Sequence, residues 1–151
     1  MPVSWRIVKE KHRQNALTGD GARRLGGRWN TPGQAIIYSA GTLSGALLEI
    51  LVHSNRQLLS YYLVYRLEFP QEIISEVNIA DLPKDWRSSP PPPELGKIGD
   101  RWCRENRSAV LRVPNAMVPL EVNFLVNPAH ADFSPVEIQG PIDFAADDRL
   151  V

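Results

Sequence analysis

The chain has 151 residues, of which 43% are hydrophobic and 23% charged, with 17 basic against 17 acidic side chains and a single cysteine. That length supports one hydrophobic core, and the balanced charge argues against a phosphate-backbone partner, which a basic excess normally serves. Cys103 has no partner for an internal disulfide, no apolar run approaches the roughly 20 residues of a membrane span, and the N-terminus does not read as a signal peptide. The expectation is one cytoplasmic domain over residues 1–151, with neither nucleic acid nor membrane as partner.

The first element, "VSWRIV" (Val3 to Val8), alternates and predicts a strand. The polar, glycine-rich stretch from Lys9 to Asn30 predicts a loop with one helical turn at Ala22–Leu25. "QAIIYSA" predicts a strand ending near Ala40. In "TLSGALLEILVHSN", Leu43, Ala46, Leu47, Ile50 and Leu51 recur with helical spacing, and Thr42 can cap the first turn. "LLSYYLVYRLEFP" alternates over its whole length, with Tyr61, Leu63, Tyr65, Leu67 and Phe69 on one face. "EIISEVNI" predicts a further strand.

Pro90 to Pro93 then interrupt the pattern. They favour an extended backbone without donors, either a ligand for an aromatic groove or, the preferred reading, a stiff connector. "ELGKIGDRWCREN" predicts a helix, and "SAVLRV", "PLEVNFLV" and "VEIQGPIDF" predict strands, with turns at Pro114-Asn115 and Asn127-Pro128. About seven strands and two or three helices without βαβ alternation predict an α+β fold with a mixed, mostly antiparallel sheet.

Three residues in the stretch from Arg23 to Ile50 could carry chemistry. Arg28 follows Gly26 and Gly27, where a guanidinium could hold a phosphate or a ribose hydroxyl; it could equally be a solvated arginine in a turn. Glu49 is the one carboxylate of an apolar helix, either half-buried in a cleft or paired with His53 one turn on. Tyr38 ends a strand and could stack on a flat base with its hydroxyl kept wet, or simply fill the core. No Walker loop, dinucleotide fingerprint or nucleophile elbow occurs. His12, His53, His130 and Cys103 lack metal-ligand spacing, so no metal is expected. Trp86 and Trp102 read as packing residues. Asn123 to His130, "NFLVNPAH", end a strand with polar groups that could line a pocket, though Asn127-Pro128 is also a common turn.

Taken together, "GARRLGGRWNTPGQAIIYSA", "SGALLEILVH", "GDRW", "VPNAMVPLEVNFLVNPAH" and "IDFAADDRL" resemble the RES-domain family along nearly the whole chain and in the same order. The resemblance implies an ADP-ribosyltransferase-like fold and a toxin of a type II toxin–antitoxin pair that depletes cellular NAD and arrests growth. NAD is then the substrate, and an Xre-type helix-turn-helix antitoxin the partner in a hetero-oligomer. The family arginine and glutamate map onto Arg28 and Glu49, and a family tyrosine onto Tyr38. Trp29, Asn115 and Asn127 are the further residues expected around NAD. The family serine falls in the turn "VPNA", where this chain has Asn115; neither Ser108 nor Ser134 is an obvious substitute. On this reading Glu49 stabilises the cation that develops on the ribose, Arg28 holds the pyrophosphate or ribose, and Tyr38 orients the nicotinamide. Transfer of ADP-ribose to a macromolecule, or a weakly active antitoxin-binding subunit, are the alternatives.

Overall fold

The structure is a computed structural model that describes residues 1–151. Seven strands form one sheet: β1 (Val3–Val8), β2 (Ile37–Ala40), β3 (Tyr61–Glu68), β4 (Ile74–Glu76), β5 (Val110–Pro114), β6 (Val122–Val126) and β7 (Glu137–Ala145). Three α-helices accompany them: α1 (Asp20–Leu25), α2 (Leu43–His53) and α3 (Pro93–Arg104). The strand order is β4-β5-β6-β2-β1-β3-β7, and only the β4–β5 pair is parallel. The α+β architecture expected from the sequence is therefore the observed one.

Strand periodicity places both long helices on one face of the sheet. Ile36, just ahead of β2, and Tyr38 and Ala40 within it alternate with Ile37 and Ser39, so they point the same way. Ile36 and Tyr38 pack with Leu111, Val113 and Leu125 beneath Leu95, Trp102 and Cys103 of α3. Ala40 packs with Ile7, Tyr62 and Val64 beneath Ala46 of α2. Tyr38 thus lies where the territories of the two helices meet. The opposite face carries Ile37, Leu63, Leu67, Phe124 and Val126, packed with Ala16, Phe69 and Val136.

Local chemistry sets the helix boundaries. The Thr42 hydroxyl accepts the Gly45 N–H at 2.9 Å, which caps α2 as expected. Pro92 and Pro93 start α3 at positions where a missing N–H costs nothing, so the proline run is a connector leading into a helix. The polar stretch after β1 holds more helix than expected: a 3-10 turn over Glu10–Asn15 and a six-residue α1 that begins at Asp20. Two strands are shorter than expected. β2 starts only at Ile37, opposite Val126, the last residue of its partner β6, and the segment after Pro70 makes a 3-10 turn before β4. β7 is a nine-residue edge strand on β3, with Gly140 and Pro141 at its centre and a register shift opposite Val64/Arg66.

Candidate active site

Arg28 sits in a turn closed by a two-residue bridge between Gly27 and Asn30. The Tyr38 hydroxyl secures that turn from the sheet: it donates to Asn30 Oδ1 at 2.6 Å and accepts the Trp29 N–H at 3.0 Å. A side chain at Gly27 would put its Cβ 2.7 Å from the Tyr38 oxygen, so glycine here is required by the close approach of the ring. The Asn30 amide donates to the carbonyls of Ala22, Thr31 and Gln34, which ties the turn to α1 and to the start of β2. From the opposite face of the sheet, Arg6 donates to the Tyr38 and Ala16 carbonyls at 3.0 and 2.6 Å.

Helix α3 is the seat on the other side. Asp100 accepts the Thr31 N–H at 3.0 Å and the Thr31 hydroxyl at 2.6 Å. Gly99 packs directly against the Trp29 carbonyl, where any Cβ would overlap the oxygen, and Gly96 faces Thr31. Sequence reasoning found "GDRW" only as part of a resemblance. Gly96 and Gly99, one turn apart in a helix that would prefer alanine, were the available physical signal for this close approach.

The Arg28 side chain projects from this rigid turn. Its Nη1 donates to the Trp86 and Ser88 carbonyls at 3.0 and 2.9 Å, pinning the segment ahead of the proline run. Arg87 between them donates to the Ala116 and Met117 carbonyls at 2.8 and 3.4 Å, so the segment bridges the Arg28 turn and the Asn115 turn. Burial holds the Arg28 guanidinium below its usual pKa, and the Glu49 carboxylate pulls it partly back up. The two charges therefore feel each other, yet no ion pair within 4.0 Å joins them. Glu49 Oε2 instead lies 3.4 Å from His53 Nε2, and with 78% of the His53 side chain exposed this pair contributes little to stability. Of the two readings of Glu49, the structure contains the helix-edge pair with His53, with 37% of the Glu49 side chain exposed.

The other expected site residues are placed differently. The Tyr38 hydroxyl is not wet: burial raises its pKa, and both its hydrogen bonds are made within the chain. Trp29 is 2% exposed and packs with Trp86, Trp102 and Leu95, so its ring belongs to the core and not to a cleft wall. Asn115 is 1% exposed; its Oδ1 accepts the Met117 and Val118 N–H groups, and its amide donates to Asn123 Oδ1. Asn127 shapes its own turn by accepting the Ala129 N–H. Asn115 and Asn127 also stand at opposite ends of β6, since the Asn115 N–H pairs with Glu121 and Asn127 follows Val126. Six residues of strand separate those ends by about 20 Å. Arg28, Tyr38 and Glu49 are brought together; Asn115 and Asn127 do not share one compact site with each other.

An α+β sheet whose central strand supports an arginine turn on one side and a glutamate helix on the other defines the class. The chain belongs to the RES domain family, whose match covers residues 3–148. It is 38% identical over 148 residues to "Toxin Res" of Yersinia enterocolitica, covering 97% of both chains. It is 36% identical over 154 residues to the "Prs ADP-ribosylating toxin" of a Sphingobium species, covering 97% of this chain and 95% of that one. Its fold is similar to that of a chain in the crystal structure of the M. tuberculosis MbcT–MbcA toxin–antitoxin complex. There the TM-score is 0.77 at 18% identity, over 95% of this chain and 84% of that one.

Proposed function

We propose that this protein is a growth-arresting toxin that takes NAD as substrate and cleaves the bond between nicotinamide and ribose. The reading is supported by Arg28 and Glu49: opposite charges whose interaction raises the Arg28 pKa against its burial, with no ion pair within 4.0 Å between them. Two opposite charges left uncombined suit a ligand with an anionic pyrophosphate and a ribose that becomes cationic as the bond breaks. Arg28 spends Nη1 on the two carbonyls and has Nε and Nη2 left for the pyrophosphate or the adjoining ribose. Glu49 stabilises the oxocarbenium-like transition state by charge and by a hydrogen bond to a ribose hydroxyl. Nicotinamide leaves from an already cationic ground state and needs no general acid. Tyr38 acts through the turn: its hydroxyl holds the Trp29 and Asn30 backbone and amide that aim Arg28.

Water or phosphate captures the cation in this reading. Transfer of ADP-ribose to a macromolecule is the second reading, favoured by the name of the Sphingobium relative. Incubating the chain with NAD alone separates them. Nicotinamide released in amounts exceeding the protein, without an added acceptor, supports NAD breakdown, and NAD that stays intact until a target is added refutes it. Glu49→Gln is expected to slow release by about 10² to 10³ with the fold unchanged, and Asn115→Ser reports on the residue that departs from the family pattern. The partner in this reading is an Xre-type antitoxin that covers the cleft in the cytoplasm. The support for a partner of this kind is the toxin–antitoxin complex in which the similar fold occurs.

A further inference from the structure

Strand β6 puts an asparagine on the helix-covered face of the sheet. Asn123 pairs with Ala40, which packs beneath α2, and Leu125, two residues on, packs beneath α3, so Asn123 faces the seam between the two helices. Gly45 rests on the same Ala40, where an added Cβ would lie 3.6 Å from the Ala40 Cβ, and Glu49 follows one turn later on that side of α2. In the other direction, Asn123 bonds to Asn115, and Arg87 ties the Asn115 turn to the segment whose carbonyls hold Arg28. Contacts therefore lead from Asn123 to Glu49 on one side and to Arg28 on the other. The direction of its amide is set by backbone groups. Asn115 Oδ1 accepts the Met117 and Val118 N–H groups at 2.8 and 3.0 Å, so Asn115 must turn its Nδ2 the other way. That Nδ2 donates to Asn123 Oδ1 at 3.1 Å, which leaves the Asn123 Nδ2 over. This nitrogen makes no hydrogen bond within the chain, yet it is not sealed in, because Arg112 Nε is the sole buried side-chain nitrogen or oxygen without a partner. Asn123 is half-buried, and its Nδ2 is an accessible donor of fixed direction.

We infer that Asn123 is a substrate-binding residue that donates through Nδ2 to the carbonyl oxygen of the nicotinamide carboxamide, with Asn115 as its positioning residue. The inference rests on NAD as the substrate. The anionic pyrophosphate goes to Arg28, and a ribose hydroxyl gives its proton to Glu49. The carboxamide is the neutral group at the reacting end, and its oxygen is a strong acceptor that neither Arg28 nor Glu49 meets. A neutral donor held in place before the ligand arrives costs no reorganisation on binding. Asn115 touches no substrate. It acts by fixing which end of the Asn123 amide faces the seam.

The test is an NMR titration of the full chain with three fragments of the substrate or its analogue: ADP-ribose, nicotinamide and 3-acetylpyridine. The last keeps the carbonyl oxygen and has no N–H to donate. The native chain is expected to bind all three. Asn123→Asp keeps an acceptor for Asn115 Nδ2 and replaces the outward donor with an oxygen. It is expected to weaken 3-acetylpyridine about tenfold, to weaken nicotinamide less, because that amide can turn round and donate, and to leave ADP-ribose unchanged. Asn115→Asp is expected to give the same pattern with residue 123 untouched. Its carboxylate keeps the two backbone N–H groups and takes a donor from Asn123, which then shows Oδ1 to the seam. The same spectra report that each variant is folded. Unchanged 3-acetylpyridine binding in Asn123→Asp, or a loss confined to ADP-ribose, overturns the carboxamide contact. A folded Asn115→Asp chain with native preferences overturns the positioning role. Failure of the native chain to bind ADP-ribose overturns the NAD reading itself, and this inference with it.

Discussion

Replacing Tyr38 with phenylalanine removes one oxygen and keeps the ring, and it strands two groups in the interior. The Trp29 N–H loses its acceptor and Asn30 Oδ1 loses its donor, in residues that are each 2% exposed. A buried polar group left unpaired costs about 1–3 kcal/mol, so the pair costs about 2–6 kcal/mol. For a chain of this length each kcal/mol lowers Tm by about 2–4 °C, which predicts a fall of about 4–24 °C. The damage continues into the turn, because the same Asn30 amide holds the Ala22, Thr31 and Gln34 carbonyls. Thermal unfolding followed by circular dichroism gives the first number, and NAD affinity of the folded variant gives the second, expected to weaken as Arg28 loses its aim. If Tm falls by less than about 2 °C while NAD turnover is lost, the hydroxyl works on substrate and the tethering argument is wrong.

Three further outcomes are expected. Gly99→Ala forces a Cβ into the Trp29 carbonyl oxygen, so it should prevent soluble expression or lower Tm more than Gly21→Ala, whose added Cβ meets nothing within 4 Å; comparing the two melting curves checks it. Thr42→Ala deletes the α2 cap and should cost about 1 kcal/mol, read as a shift in the urea midpoint without a change in slope. Burial, and secondarily Asp100, push the Cys103 thiol up from 9.0 to about 11. The native chain therefore keeps a proton that the unfolded chain releases, and stability should fall as pH rises from 9 to 11, a fall reduced in Cys103→Ala but not abolished, because the Tyr38 and Tyr61 hydroxyls are raised as well. Thiol-reagent labelling of the native chain should be slow at neutral pH for the same reason.

The sequence reading recovered elements where a local period had no competitor, as in β3 and α2, and failed where long-range contacts decided the outcome. Nothing local to Gln34 shows that β6 will end at Val126, opposite Ile37, and so set the start of β2. The site divides in the same way. Arg28, Tyr38 and Glu49 lie within 22 residues of sequence, and their residue types suggested chemistry before any fold was known. Packing brings the Trp86 and Ser88 carbonyls to Arg28 from 58 and 60 positions away and Asp100 to Thr31 from 69, which no pattern near Arg28 encodes. Asn115 and Asn127 misled because asparagine after a strand suits a ligand and a turn equally, and here both side chains are consumed by turns.

The two borders of the sheet have a consequence for concentrated solutions. An uninterrupted outer strand offers a row of free donors and acceptors on which another copy can add. On one side β4 is only three residues long, too short to start such growth. On the other, β7 is long, but Pro141 has no N–H to offer, the ladder slips opposite Val64/Arg66, and Glu137 and Asp143 bring like charges to any second copy. The fold thereby resists edge-to-edge polymerisation at both ends, and Pro141→Val is the single change that would begin to remove that protection.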